Sequence, residues 1–203
     1  MRISLCRHKG FTLIEVLIVL GVMVILAAIV FPVFVRGRLK AQQTTCQSNL
    51  KQISLAIKQY IQDHDSRYPQ VEEWKEAVVT YSKNSEILQC PSPRSNPSYN
   101  GYYREGIFSN YSYNRYLDAG RRGSILIPSL GGVNEAILHK DAQTVLNGDL
   151  DVDGISSSGK TACGDYDLSI VHYNGANYSF CDGHVKWLTP RQAAELNCSG
   201  MVP

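Results

Sequence analysis

Twenty consecutive residues without a charge, Val16 to Val35 (VLIVLGVMVILAAIVFPVFV), set the first limit on how this chain can fold. As a helix rising 1.5 Å per residue, the run spans roughly 30 Å, the thickness of a bilayer's hydrocarbon core. A secretory signal peptide has a shorter apolar stretch followed by small residues at its cleavage site. Here Phe31, Pro32 and Phe34 stand where small residues would be wanted. Flanking charge does not fix an orientation, because Arg2, Arg7 and Lys9 are balanced by Arg36, Arg38 and Lys40. Pro32 removes a backbone donor inside the run, which predicts a kink or local unwinding. Gly21 fits a close helix contact.

Beyond Val35 the pattern becomes amphipathic. Cys46, Leu50, Ile53, Ile57 and Tyr60 recur at spacings of 4, 3, 4 and 3, one face of a helix. The helix is therefore expected to continue to about residue 62, apolar all round in its first half and with one buried stripe in its second. Asp63-His64-Asp65-Ser66-Arg67-Tyr68-Pro69 ends it as a polar turn, although two carboxylates and a histidine also offer metal ligands. Residues 71–83 read as a short helix burying Trp74, Ala77, Val78 and Tyr81. The stretch from Tyr99 to Tyr116 holds six tyrosines and reads as a packed, hydrogen-bonded loop over a sheet.

The clearest β pattern lies at 167–188. Asn174-Gly175 and Asp182-Gly183 are both favoured two-residue hairpin turns. With loops that tight, Phe180 faces Val185, Tyr178 faces Trp187 and His172 lies beside Asn177. The apolar face of this meander is expected to pack on the helix stripe.

The segment Lys9-Gly10-Phe11-Thr12-Leu13-Ile14-Glu15 resembles the processing site of type IV prepilins and type II secretion pseudopilins. The resemblance implies cleavage between Gly10 and Phe11 by a prepilin peptidase, N-methylation of Phe11, and an apolar helix that stays first in the membrane and later in a filament core. Glu15, a carboxylate one turn into an apolar helix, needs a partner or a route to the interface. The resemblance gives it the positive amino terminus of a neighbouring subunit. It also implies the fold: α+β and type IV pilin-like, a long N-terminal transmembrane helix with a C-terminal antiparallel β-sheet head.

Residues 1–10 then form the leader, 11–35 the membrane and filament-core helix, 36–62 its amphipathic continuation and 63–203 the head. Implied partners are pilin-like subunits (its own kind and others), the peptidase, the inner-membrane assembly machinery and membrane lipid. The head would be exported from a cytoplasmic membrane anchor. His172, followed by nine residues and then Asp182-Gly183, resembles a subfamily of prepilin-type proteins with an H-x9-D-G pattern. Thr45–Ile53, Leu88–Ser92 and Tyr113-Asn114 match the same subfamily. These motif residues read as fold determinants, since no nucleophile with a positioned base accompanies them.

Asp149, Asp151 and Asp153, followed by Gly154, open like a calcium loop in which alternate carboxylates converge on one ion. Position twelve is Lys160 instead of the expected glutamate, and a solvated acidic turn fits the same residues. Major pseudopilins bind calcium in their C-terminal region, an implication of the resemblance without a residue match here. Of six cysteines, Cys6 is lost with the leader. The other five permit two bridges at most, and one is expected to tie Cys198 to Cys163 or Cys181. Zinc is disfavoured because no C-x2-C pair exists.

The formal charge of +2 falls to −1 without Arg2, Arg7 and Lys9, so composition gives no case for nucleic acid. A structural filament subunit is the leading reading, not an enzyme. The alternatives are a membrane-anchored or filament-tip module binding calcium or another ligand, and an exported enzyme.

Overall fold

The computed structural model describes residues 11–70, 72–92, 109–114, 117, 132–138, 141–149 and 171–196. Helix α1 runs from Leu13 to Asp63 and stays helical through Pro32, where the sequence predicts a kink or local unwinding. By its contacts the chain divides into two units, Met1–Arg38 and Leu39–Pro203.

In the first unit every apolar side chain is exposed along the uncharged run, from 43% at Val35 to 72% at Phe31. In the second unit α1 buries one stripe: Gln43, Cys46, Leu50, Ile53, Ser54, Ile57 and Ile61. Ile61 takes the place expected for Tyr60, which is half-buried. Leu50, Ile53, Ile57 and Ile61 are at most 2% exposed, worth roughly 1.5–3 kcal/mol each on transfer from water. Packing therefore holds this half of the helix.

Helix α2, Trp74–Ser82, buries Trp74, Ala77 and Val78, while Tyr81 reaches sideways to donate to Asp63 Oδ2 at 2.9 Å. Asp63 and His64 belong to a polar turn, with the imidazole stacked on Tyr60 at 3.8 Å. Asp65 and Ser66 complete it in the left-handed backbone region.

Four strands form one sheet in the order β1-β2-β3-β4, antiparallel throughout: Tyr111–Tyr113, Val145–Asp149, Ala176–Phe180 and Val185–Leu188. The tyrosine-rich segment thus contributes an edge strand, with Tyr111 and Tyr113 buried, where a loop was expected. Its residues 99–108 lie outside the described residues. Short helix α3, Pro190–Ala194, follows β4 and opens on a capping box between Thr189 and Gln192.

Both hairpins differ from the expected register. Ser179 pairs with Val185, Tyr178 with Lys186 and Asn177 with Trp187, a slip of one residue. The loop is Cys181-Asp182-Gly183, three residues long, with Gly183 at φ +90° and its N–H donating to Phe180 C=O at 2.8 Å. A type I turn closed by a left-handed glycine uses Asp-Gly as readily as a two-residue turn does. At the other end His172 pairs with Gly175, not Asn177, so Tyr173 and Asn174 occupy the turn with φ +45° and +65°. Gly175 is spent on closeness instead: a Cβ there would strike Leu188 C=O and sit 2.6 Å from the Trp187 ring.

A one-residue slip exchanges the faces of a strand. Asn177 and Ser179 turn towards α1, where Gln47 Nε2 donates to Asn177 Oδ1 at 3.0 Å. Ala176, Tyr178 and Phe180 turn away and build a second cluster with Val145, Leu188 and Ala193. The Tyr178 and Phe180 side of β3 therefore packs under α3, while Val171 and Val185 of the meander pack with the helix stripe as expected.

A bulge in β2 completes the arrangement: Val145 opposes Phe180, yet Asn147 opposes Ser179. The extra residue, Leu146, joins the α1-side core. Without it Asp149 would share Val145's face; with it Asp149 comes to the α1 side beside Asn177.

Candidate functional site

The N-terminal site is a helix end built for a carboxylate. Thr12 Oγ1 accepts from the Glu15 N–H at 3.4 Å, and Glu15 Oε2 accepts in return from the Thr12 N–H at 2.8 Å and its hydroxyl at 2.9 Å. This is a capping box, in which two otherwise orphaned backbone donors are satisfied reciprocally. The Thr-x-x-Glu spacing before an apolar run was its available signal in the sequence. Phe11, 88% exposed, stands just outside it. Lys9 and Gly10, like the rest of the leader, lie outside the described residues.

The residues of the H-x9-D-G pattern do not form one site. Asp182 lies in the β3–β4 loop, where its Oδ1 accepts from the His184 N–H at 2.9 Å and meets the His184 imidazole Nδ1 at 2.7 Å. Partial burial raises the Asp182 pKa, but these bonds outweigh it and hold the carboxyl below its usual range. Gly183 supplies the left-handed turn. His172 is elsewhere, 4% exposed, with its C=O accepting from Trp187 Nε1 at 2.9 Å.

His172's acidic partner is Asp149. The two approach to 3.4 Å between His172 Nε2 and Asp149 Oδ2, and the same Oδ2 accepts from the Asn177 N–H at 2.7 Å. Asp149 is the last residue of β2, turned inward, and Asp151 and Asp153 lie outside the described residues.

Burial pushes the Asp149 carboxyl up to about 7. Burial, then the charge of Lys40, pushes the His172 imidazole down to about 4. Desolvation penalises each charged form, so burial favours the neutral acid and the neutral imidazole.

A disulfide adjoins this pair. Cys46 of α1 is bonded to Cys90 across a separation of 44 residues, and Cys90 Sγ lies 3.3 Å from His172 Nε2. Sequence reasoning missed this bridge. The helical stripe marked Cys46 as buried, but spacing cannot say what a buried cysteine meets. Cys181, offered as a partner for Cys198, is instead a free buried thiol whose pKa burial raises to about 12. Cys163 and Cys198 lie outside the described residues.

Residues 5–31 match the family model described as the prokaryotic N-terminal methylation motif. The chain is similar to type II secretion system core protein G of Aeromonas hydrophila, 33% identical over 64% of this chain and 87% of that protein. It is also similar to core protein G of Pectobacterium carotovorum subsp. carotovorum, 31% identical over 62% of this chain and 76% of that one. A shorter similarity, 39% over 59 residues, reaches the type IV major pilin protein PilA of Myxococcus xanthus; it covers 29% of this chain and 27% of the pilin. No solved structure matches the chain. Proteins of this kind are structural subunits and not enzymes. With the methylation motif, the apolar helix and the antiparallel head in place, the chain belongs to the type II secretion core protein G family of pseudopilins.

Proposed function

We propose that this chain is made as a membrane-anchored precursor, cut between Gly10 and Phe11 by a prepilin peptidase, N-methylated at Phe11 and polymerised through α1. The carrying observation is the exposure of every apolar side chain from Val16 to Val35, at 43–72%. Such a surface is not stable in water, and it is apolar on all sides instead of along one docking stripe. A bilayer covers it before assembly, and neighbouring helices cover it afterwards.

Glu15 then serves twice. In the single chain it caps its own helix; in the filament it faces the amino terminus of the neighbouring subunit, which cleavage has just exposed. A charge placed inside apolar surroundings needs such a partner. The head lies on the exported side of the cytoplasmic membrane and forms the filament surface. The longer similarities to secretion core proteins, against the short one to a pilin, favour a secretion filament.

Mass spectrometry of the mature amino terminus, in cells with and without the peptidase, tests this reading. N-methyl-Phe11 appearing only with the peptidase supports it. Cleavage beyond residue 35, leaving a soluble head, overturns it.

A further inference from the structure

Cys46, Cys90, Asp149 and His172 come from four separate parts of the chain, and their ligand atoms all lie within 4.8 Å of one another. None is more than 6% exposed. We propose that the reduced head binds one zinc ion through these four side chains, and that the Cys46–Cys90 disulfide is the metal-free, oxidised form of the same site.

The donor set argues first. Two thiolates, an imidazole and a carboxylate are the ligands that tetrahedral zinc takes. A disulfide alone calls for none of this company, since oxidised sulfur carries neither a charge nor a proton. Burying an acid and an imidazole beside it is costly, and aliphatic neighbours would have packed it more cheaply.

Geometry argues next. Zinc bonds of about 2.0–2.1 Å to nitrogen and oxygen give tetrahedral edges of about 3.3 Å, and bonds of about 2.3 Å to sulfur give N···S edges of about 3.5 Å. His172 Nε2 already stands 3.4 Å from Asp149 Oδ2 and 3.3 Å from Cys90 Sγ. The remaining pairs, all within 4.8 Å, must settle to the same edges, and the two bonded sulfurs must part to about 3.7 Å. Cα atoms 5.4 Å apart allow that by side-chain rotation. The Asn177 N–H that fixes the Asp149 carboxylate is an outer partner of the kind that orients metal ligands.

The chemistry balances. Zinc binding to the reduced site releases the two thiol protons and the Asp149 carboxyl proton to solvent, and Asp149 regains its proton when the zinc leaves. Oxidation removes two electrons from the sulfur pair, forms the S–S bond and frees the zinc ion to water. An exchanging disulfide takes up those electrons and two protons to become two thiols. Cytosolic synthesis provides the thiols, and an oxidising compartment beyond the membrane favours the bridge. Zinc occupancy would thus hold the head folded until the bridge forms.

The test uses the full chain in detergent, reduced and oxidised, titrated with zinc against a colorimetric chelator. One zinc per reduced chain and none per oxidised chain is expected. His172→Gln and Asp149→Asn should each weaken zinc binding at least about tenfold, the size seen even for outer-shell changes. X-ray absorption on the unsubstituted reduced chain guards against variants that fail to fold: two sulfurs near 2.3 Å and two lighter ligands near 2.0 Å are expected. A reduced chain that takes up no zinc overturns the proposal. So does equal uptake by the oxidised chain, or a zinc shell of any other composition.

Discussion

Asp149 Oδ2 and His172 Nε2 lie 3.4 Å apart with side chains 1% and 3% exposed, the most deeply buried acid–base contact among the described residues. Burial raises the folded pKa of Asp149 from 3.8 to about 7 and lowers that of His172 from 6.5 to about 4. Between about pH 4 and 6.5 the unfolded chain keeps its proton on His172, while the folded head keeps one on Asp149. Proton counts match, so the pair adds no slope to stability.

Removing either partner of the disulfide-bonded head unmasks the other. In His172→Gln only Asp149 remains, the folded state binds a proton the unfolded state lacks, and stability falls as pH rises from about 4 to 7. In Asp149→Asn the sign reverses and stability rises from about pH 4 to 6.5. Each slope approaches 1.4 kcal/mol per pH unit at most. Melting midpoints of both variants at pH 4.5 and 6.5 check this, and slopes of the same sign would refute it.

Glu15→Gln separates the cap from the charge. Glutamine at the third helical position closes a capping box as glutamate does, so helix content is expected to be unchanged by circular dichroism. The carboxylate is gone, however, and filament yield should drop below detection. Glu15→Ala should lose both. Normal filaments from the glutamine variant would assign Glu15 a capping role alone.

Loss of the Cys46–Cys90 bridge should cost about 4 kcal/mol by the loop-closure argument for a 44-residue separation. Denaturant midpoints of the chain with and without reductant, both in chelator, measure it. A shift below about 1 kcal/mol would mean that the reduced ensemble is already restricted.

Gly175→Ala should destabilise the head by about 1–3 kcal/mol, the usual cost of an overpacked contact. The new methyl would meet Leu188 C=O and the Trp187 ring, and displacing that ring breaks its bond to His172 C=O. Tryptophan emission should shift red along with the lowered midpoint. Unchanged emission would place the strain elsewhere.

Periodicity and local chemistry settled much in advance. An uncharged run as long as a bilayer's hydrocarbon core is thick, a stripe at spacings of three and four, and a glycine-phenylalanine junction ahead of a glutamate are properties of neighbouring residues. They survive any tertiary arrangement, so the anchor, the helix to Asp63 and the family were legible. The faces of the sheet were not. Asp-Gly fits a two-residue or a three-residue loop, and only packing of Gly175 against Trp187 and of Asn177 against Gln47 chose between registers one residue apart. The bulge at Leu146 then turned Asp149 from one face to the other. Cys46, Cys90, Asp149 and His172 are brought together by these choices alone, because burial against α1 selects among turns that locally cost much the same.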